Sequence, residues 1–109
     1  ADLALGLLLS MARRITECNA LVKGGTWRRL DGSDVGETTL GVIGTGRIGI
    51  ALGRRAQACG MRVIGYDPHP NARFSHGLGG TYVDLDTLLA QSDYVSLHSP
   101  ATAETRHLI

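Results

Sequence analysis

The chain has only two cysteines, Cys18 and Cys59, and they match no C-x-x-C spacing. Both are expected to pack as small reduced hydrophobes, which suits a cytoplasmic protein. Long basic runs are also missing. Arg13-Arg14, Arg28-Arg29 and Arg54-Arg55 are isolated pairs, and eleven basic against ten acidic residues leave a net charge of +1. Pairs of this kind belong on solvated helix faces, so nucleic acid is not an expected partner. The opening apolar stretch, residues 3–11, falls far short of the roughly 20 residues a membrane-spanning helix needs, and no basic leader precedes it. Repeats and low-complexity tracts are absent too. The chain reads as soluble, with no membrane partner.

Several catalytic signatures are lacking as well. Without a G-x-x-x-x-G-K-[ST] stretch, a mononucleotide P-loop is unsupported. There is no H-E-x-x-H and no Cys/His cluster, so no metal is expected. Ser10, Ser33, Ser75, Ser92, Ser96 and Ser99 lie in no G-x-S-x-G elbow, which removes support for acyl transfer. His69, His76, His98 and His107 have no acid at a spacing that would orient one of them as a base. No catalytic residue is assigned.

What remains is a chain of 109 residues with 43% apolar content, about one small domain. Residues 2–22 read as one long helix with Asp2 as its N-cap and Ala4, Leu8, Met11, Ile15 and Val22 in one stripe. Leu3, Leu5, Leu7 and Leu9 carry apolar surface round its other sides, which calls for a partner surface. Lys23-Gly24-Gly25 ends this helix, and residues 27–37 form a loop. Beyond it, strands and helices alternate. Strands are expected at 39–43, 61–66, 81–83 and 94–98, and helices at 47–59, 71–78 and 85–91, the last capped by Asp84. Alternation of this kind implies parallel pairing and right-handed crossovers. The fold class is α/β, a Rossmann-like doubly wound parallel sheet of about four strands in the order 3-2-1-4, behind a long N-terminal helix.

Positions 40–49 read LGVIGTGRIG, with three glycines in the order G-x-G-x-x-G directly after the first strand. Fifteen glycines in the chain make a chance triplet easy, so context decides. Here the context is strand, glycine turn, helix, strand, acid. Gly44 allows a sharp turn, Gly46 lets a pyrophosphate approach the backbone, and Gly49 lets the helix lie tight on the strand. Amides of residues 46–48 then point unpaired from a helix N-terminus, where an anion is favoured. Arg47 either adds a charged hydrogen bond to the phosphate or faces water. Asp67 ends the second strand, where an adenosine ribose is expected. Its carboxylate accepts from the ribose hydroxyls and would repel a 2′-phosphate by up to about 4 kcal/mol, so NAD is favoured over NADP. The competing reading of Asp67 is a turn former before Pro68.

These residues resemble the D-isomer-specific 2-hydroxyacid dehydrogenases. TLGVIGTGRIGIALGRRAQACGMRVIGYDP is similar to that family's dinucleotide signature, DLDTLLAQSDYVSLHSPATAETRHLI to its next signature, and ADLALGLLLSMARRITECNALVKGGTW to its interdomain helix. The resemblance divides the chain into an interdomain and dimer-type helix over 1–25 and a partial dinucleotide-binding domain over 26–109. It implies that Arg47 and Ile48 sit on the pyrophosphate and Asp67 on the adenine ribose. It also implies that His98, Ser99 and Pro100 form a loop beside the adenosine half, with Thr105 toward the nicotinamide. Tyr66 packs either near the adenine or in the core. Gly53 departs from the pattern, since an alanine-like residue would suit mid-helix better by about 1 kcal/mol. No functional role is expected of it.

By the same resemblance, hydride passes between nicotinamide and the C2 of a D-2-hydroxy or 2-keto acid. A substrate-binding arginine and a glutamate-paired histidine are expected beyond residue 109, and most of the substrate-facing domain before residue 1. The chain alone is expected to be inactive. Pairing into a homodimer is expected through the N-terminal helix or through the open edge at 94–98. The alternative is a stand-alone NAD-binding or protein-interaction module without catalysis.

Overall fold

A computed structural model describes residues 1–109. The apolar run Thr39–Ile43 is buried along its whole length and forms β1, the strand on which the sheet is built. A strand covered on both faces needs helices above and below, and parallel neighbours supply the crossovers that place them there. Arg62–Tyr66 (β2) and Tyr94–Leu97 (β4) flank β1, and the two-residue Thr81–Tyr82 (β3) adds to β2. All pairings are parallel, in the order β3-β2-β1-β4, with Val42 opposite Gly65 on one side and Ser96 on the other. The expected order 3-2-1-4 is the observed one. The outer strands end one residue short of their sequence spans, at Tyr82 and Leu97, although the Val83 and His98 N–H groups still bond to the Gly65 and Ile43 carbonyls.

Arg47–Ala58 (α3) and Leu85–Gln91 (α4) are the crossover helices. Asp84 caps α4, accepting from the Thr87 N–H at 2.8 Å. The core is Leu40, Val42, Leu52, Ala56 and Phe74, each fully buried, with Met61, Val63 and Leu78 around them. Gly53 is explained by packing here. A β-carbon at that position would stand 2.6 Å from Leu78 Cδ2 and 3.4 Å from Val63 Cγ1, so α3 lies close to the sheet at that turn.

Three local expectations are corrected. Residues 2–22 form two helices, Asp2–Ala12 (α1) and Ile15–Lys23 (α2), with Arg14 between them in the left-handed region at φ 52°. The break has a tertiary cause. Ser33 N–H takes the Ala12 carbonyl at 2.7 Å, and Gly32 lies against the Ala12–Arg13 backbone, so the returning loop ends α1. Asp2 is not the cap either. Ala1 holds that place, and Asp2 pairs with Arg55 of α3 at 2.6 Å. The third correction concerns 71–78, which makes a single wide π-type turn over Arg73–Gly77. Phe74 from this turn is wedged between Gly65 and Gly80, where a β-carbon would reach within 2.5 Å of its ring.

Leu8 and Ala12 of α1 belong to the same core as β1, with Leu5 and Leu9 packed at its edge. Leu3, Leu7 and Met11 stay 76%, 58% and 67% exposed, and Trp27 is 92% exposed. No helix is long and apolar enough to cross a membrane.

Candidate functional site

The site grows from the point where β1 ends. Gly44 turns the chain at φ +91°, and a β-carbon there would stand 2.7 Å from the His98 carbonyl. Its N–H is held by the Tyr66 carbonyl at 2.9 Å, which ties the turn to the end of β2. Gly49 is pressed against the Gly44 carbonyl oxygen, so no side chain fits between α3 and β1. Gly46 is the opposite case. It stands at the N-cap of α3, no side chain caps the helix, and nothing lies within 4 Å of where its β-carbon would be. The N–H groups of residues 46–48 find no acceptor within the chain. Free donors, a helix N-terminus and open space together fit an anionic group that approaches the backbone.

Asp67 follows β2 and turns toward this loop. Its Oδ2 accepts from the Thr45 N–H at 2.7 Å and from the Thr45 hydroxyl at 3.0 Å, and its Oδ1 accepts from the His69 N–H at 2.9 Å. Burial raises the carboxyl pKa, but the donors from His69 and Thr45 outweigh it and hold the group below its ordinary value. The His69 bond is also the turn-forming contact of the competing reading. Asp67 therefore shapes the turn and still faces the cleft.

The cleft has a volume of about 660 Å³, and Gly44, Gly46, Tyr66, Asp67, His98, Ser99, Pro100 and Thr105 line it. Seven of these come from three separate segments that meet at the carboxyl ends of β1, β2 and β4. Tyr66 faces the cleft and has no place in the core cluster. His98 N–H extends the ladder to the Ile43 carbonyl at 2.7 Å, and its Nε2 lies 2.8 Å from Ser96 Oγ. Burial holds the imidazole below its ordinary pKa. The Thr105 hydroxyl is engaged locally, donating to the Pro100 carbonyl at 2.5 Å and accepting from the Thr102 N–H at 2.8 Å. Arg47 and Ile48 are exposed on the first turn of α3 and do not line the cleft.

A second cleft of about 730 Å³ opens at the other end of the sheet, beside Thr39, Arg62 and Thr81 at the strand starts. Its one lining glycine, Gly79, leads into β3 and not into a helix N-terminus, and doubly wound sheets bind ligands at the opposite ends of their strands. Sequence reasoning missed Thr45, which bonds Asp67, Tyr82 and Asn71, which hold Thr45 in turn, and Thr102, Glu104 and Leu108, which complete the cleft wall. A hydroxyl between two fingerprint glycines was a usable signal for Thr45. Tyr82 carried none, since its place depends on β3 lying beside β2.

A parallel sheet in this order, with a glycine turn feeding a helix and an acid after the next strand, is a Rossmann-type nucleotide-binding architecture. The family model for the D-isomer specific 2-hydroxyacid dehydrogenase NAD binding domain matches residues 5–109, and the chain belongs to that family. Over its whole length it is 43% identical to a glyoxylate reductase of Thermococcus litoralis, covering 36% of that protein. It is 42% identical to a D-3-phosphoglycerate dehydrogenase of Methanocaldococcus jannaschii, covering 21% of it. Among solved structures, the apo D-lactate dehydrogenase of Escherichia coli superposes with a TM-score of 0.92 at 39% identity, over 99% of this chain and 34% of that one. The chain thus spans about a third or less of the length of these relatives.

Proposed function

We propose that residues 1–109 are the cofactor platform of an oxidoreductase that moves a hydride between nicotinamide and the C2 of a D-2-hydroxy or 2-keto acid. The observation that carries this reading is the junction of β1 and α3, where free amides and the open space at Gly46 face the Asp67 carboxylate across one cleft. NAD supplies the redox chemistry when bound. The chain's own residues bind and orient it. Amides 46–48 and Arg47 take the pyrophosphate, with Ile48 against it. Gly44 and Gly49 hold the turn in shape, and Asp67 takes the ribose. His98, Ser99 and Pro100 flank the adenosine half, and Thr105 stands toward the nicotinamide. An ionised Asp67 repels a 2′-phosphate, which supports NAD over NADP.

Proton transfer and the grip on the substrate carboxylate are assigned to residues outside this chain. No histidine ring here is hydrogen-bonded to a carboxylate: the His98 imidazole pairs with Ser96 and that of His76 with Ser75, while His69 reaches Asp67 only through its backbone N–H. Homodimer formation is supported by the apolar stripe Leu3, Leu7 and Met11 and by the exposed Val95 and Leu97 on the β4 edge. The free, half-buried Cys18 and Cys59 support a reducing, cytoplasmic setting. That same exposed apolar surface also favours a second reading, a stand-alone interaction module. An intact mass far above 11.6 kDa for the purified protein would exclude it.

Parallel calorimetric titrations with NAD and NADP test the main reading. Saturable heat with NAD and at least about tenfold weaker NADP binding are expected. Equal affinity for the two removes the role given to Asp67, and no heat with either removes the platform.

A further inference from the structure

Thr45 is the residue of the glycine turn whose side chain points inward, and it is 1% exposed. Its hydroxyl sits between two partners. Asp67 Oδ2 lies 3.0 Å away on one side, and Tyr82 Oη lies 2.5 Å away on the other. Tyr82 Oη in turn accepts from the Asn71 N–H at 2.8 Å. Counting protons gives this chain of bonds a direction. An ionised carboxylate only accepts, so the single Thr45 hydroxyl proton goes to Asp67. Tyr82 then donates to Thr45 Oγ1 at 2.5 Å in preference to the Asn71 carbonyl at 3.4 Å, with its own oxygen taken by the Asn71 amide. Every donor points toward Oδ2, and bonds aligned in this way strengthen one another.

Capacity is the second consequence. A carboxylate offers about four lone-pair positions. Thr45 takes both on Oδ2 through its N–H and hydroxyl, and the His69 N–H takes one on Oδ1. One acceptor position on Oδ1 is left. The terminal torsion of an aspartate is otherwise soft, so an unanchored carboxylate can turn away from an unwelcome group. Here three donors hold it. Tyr82 is itself fixed against Phe74, with ring centroids 4.9 Å apart, and Phe74 is wedged over Gly65.

We propose that Tyr82 and Thr45 are positioning residues for cofactor specificity: they pin Asp67 so that it accepts one ribose hydroxyl and cannot swing aside for a 2′-phosphate. Part of the discrimination then originates in β3, outside the glycine fingerprint. This rests on the reading of Asp67 as the ribose acceptor and deepens it.

The test titrates NAD and NADP into the full chain from pH 3 to pH 7, with thermal melts run alongside. Thr45→Val and Tyr82→Phe are expected to lower the NAD-to-NADP affinity ratio by about tenfold and about threefold, the first being the size of one charge-assisted hydrogen bond. The pH midpoint of NAD binding should rise in Thr45→Val. Thr45→Ser, which keeps the hydroxyl, should restore both the ratio and the midpoint. In an Asp67→Asn background, Thr45→Val should change the ratio no further. If Thr45→Val does not fold, Tyr82→Phe carries the same comparison. Variants that melt earlier yet keep the wild-type ratio and midpoint reduce the relay to packing and overturn the proposal. An Asp67→Asn effect without a Thr45→Val or Tyr82→Phe effect likewise sinks the relay alone. An Asp67→Asn protein that binds both nucleotides as the wild type does sinks the ribose reading instead.

Discussion

Gly49 and Gly44 meet so closely at the junction of β1 and α3 that a β-carbon on Gly49 would collide with the Gly44 carbonyl oxygen, with Val42 Cγ1 only 3.0 Å away. The obstacle is backbone and cannot rotate aside. Gly49→Ala is expected to destabilise the chain by about 1–3 kcal/mol, as other overpacked core changes do. The melting temperature should fall by about 4–8 °C for each kcal/mol lost. An unchanged melt would show that α3 has room to lift from β1.

Gly46→Ala is the control on the same turn. Its φ of −74° suits any residue, and nothing stands within 4 Å of the added carbon. Stability should stay within about 0.5 kcal/mol of the parent. NAD affinity should drop by at least about tenfold, because the methyl group occupies the approach of the pyrophosphate. Normal NAD binding by this variant would remove the phosphate from the turn.

Arg47 is exposed and stands outside the cleft wall, so its side chain has little to do for the fold. Arg47→Ala should melt like the parent. If the guanidinium reaches the pyrophosphate, NAD affinity falls by about tenfold and becomes less sensitive to salt. Unchanged affinity at low salt would leave the arginine in water.

Asp67 makes stability depend on pH in a stated direction. Burial opposes its ionisation, but the His69 and Thr45 donors prevail and lower its folded-state pKa. Between that depressed value and the ordinary carboxylate value of about 3.9, the unfolded chain binds more protons than the folded one. The contribution is fully present above the unfolded value and is lost as pH falls through the folded one. Melts taken from pH 7 down to pH 3 should therefore show the parent losing more stability than Asp67→Asn. Parallel pH curves for the two proteins would contradict the assignment.

The stripe Leu3, Leu7 and Met11 should govern association. Leu7→Glu is expected to shift sedimentation toward monomer at roughly ten micromolar. A parent protein that already sediments as a clean monomer would refute the pairing.

Most of the architecture was legible from local pattern. The run 39–43 is apolar throughout because both its faces are covered. The three glycines follow it, and Asp67 comes at the end of the next strand, so the order 3-2-1-4 and the cleft at its carboxyl ends could be read without coordinates. The Asp84 cap was equally plain, since its donor is three residues away. These features depend on neighbours in sequence, where spacing carries the geometry.

The rest was decided between residues far apart. Helical periodicity ran on through Arg13 and Arg14, and only the Ser33 and Gly32 backbone arriving at Ala12 ended the first helix. Gly53 looked like a propensity fault until Leu78 was seen to need its space. An acid at position 67 could be assigned to a sugar, but its three existing hydrogen bonds could not be counted. Two of them come from Thr45, held in turn by Tyr82 from the edge of the sheet. Type and order of elements follow from short-range preferences that a sequence displays directly. The number of free lone pairs on one carboxylate follows from which distant donors the folded sheet brings within 3 Å, and only the packed chain determines that.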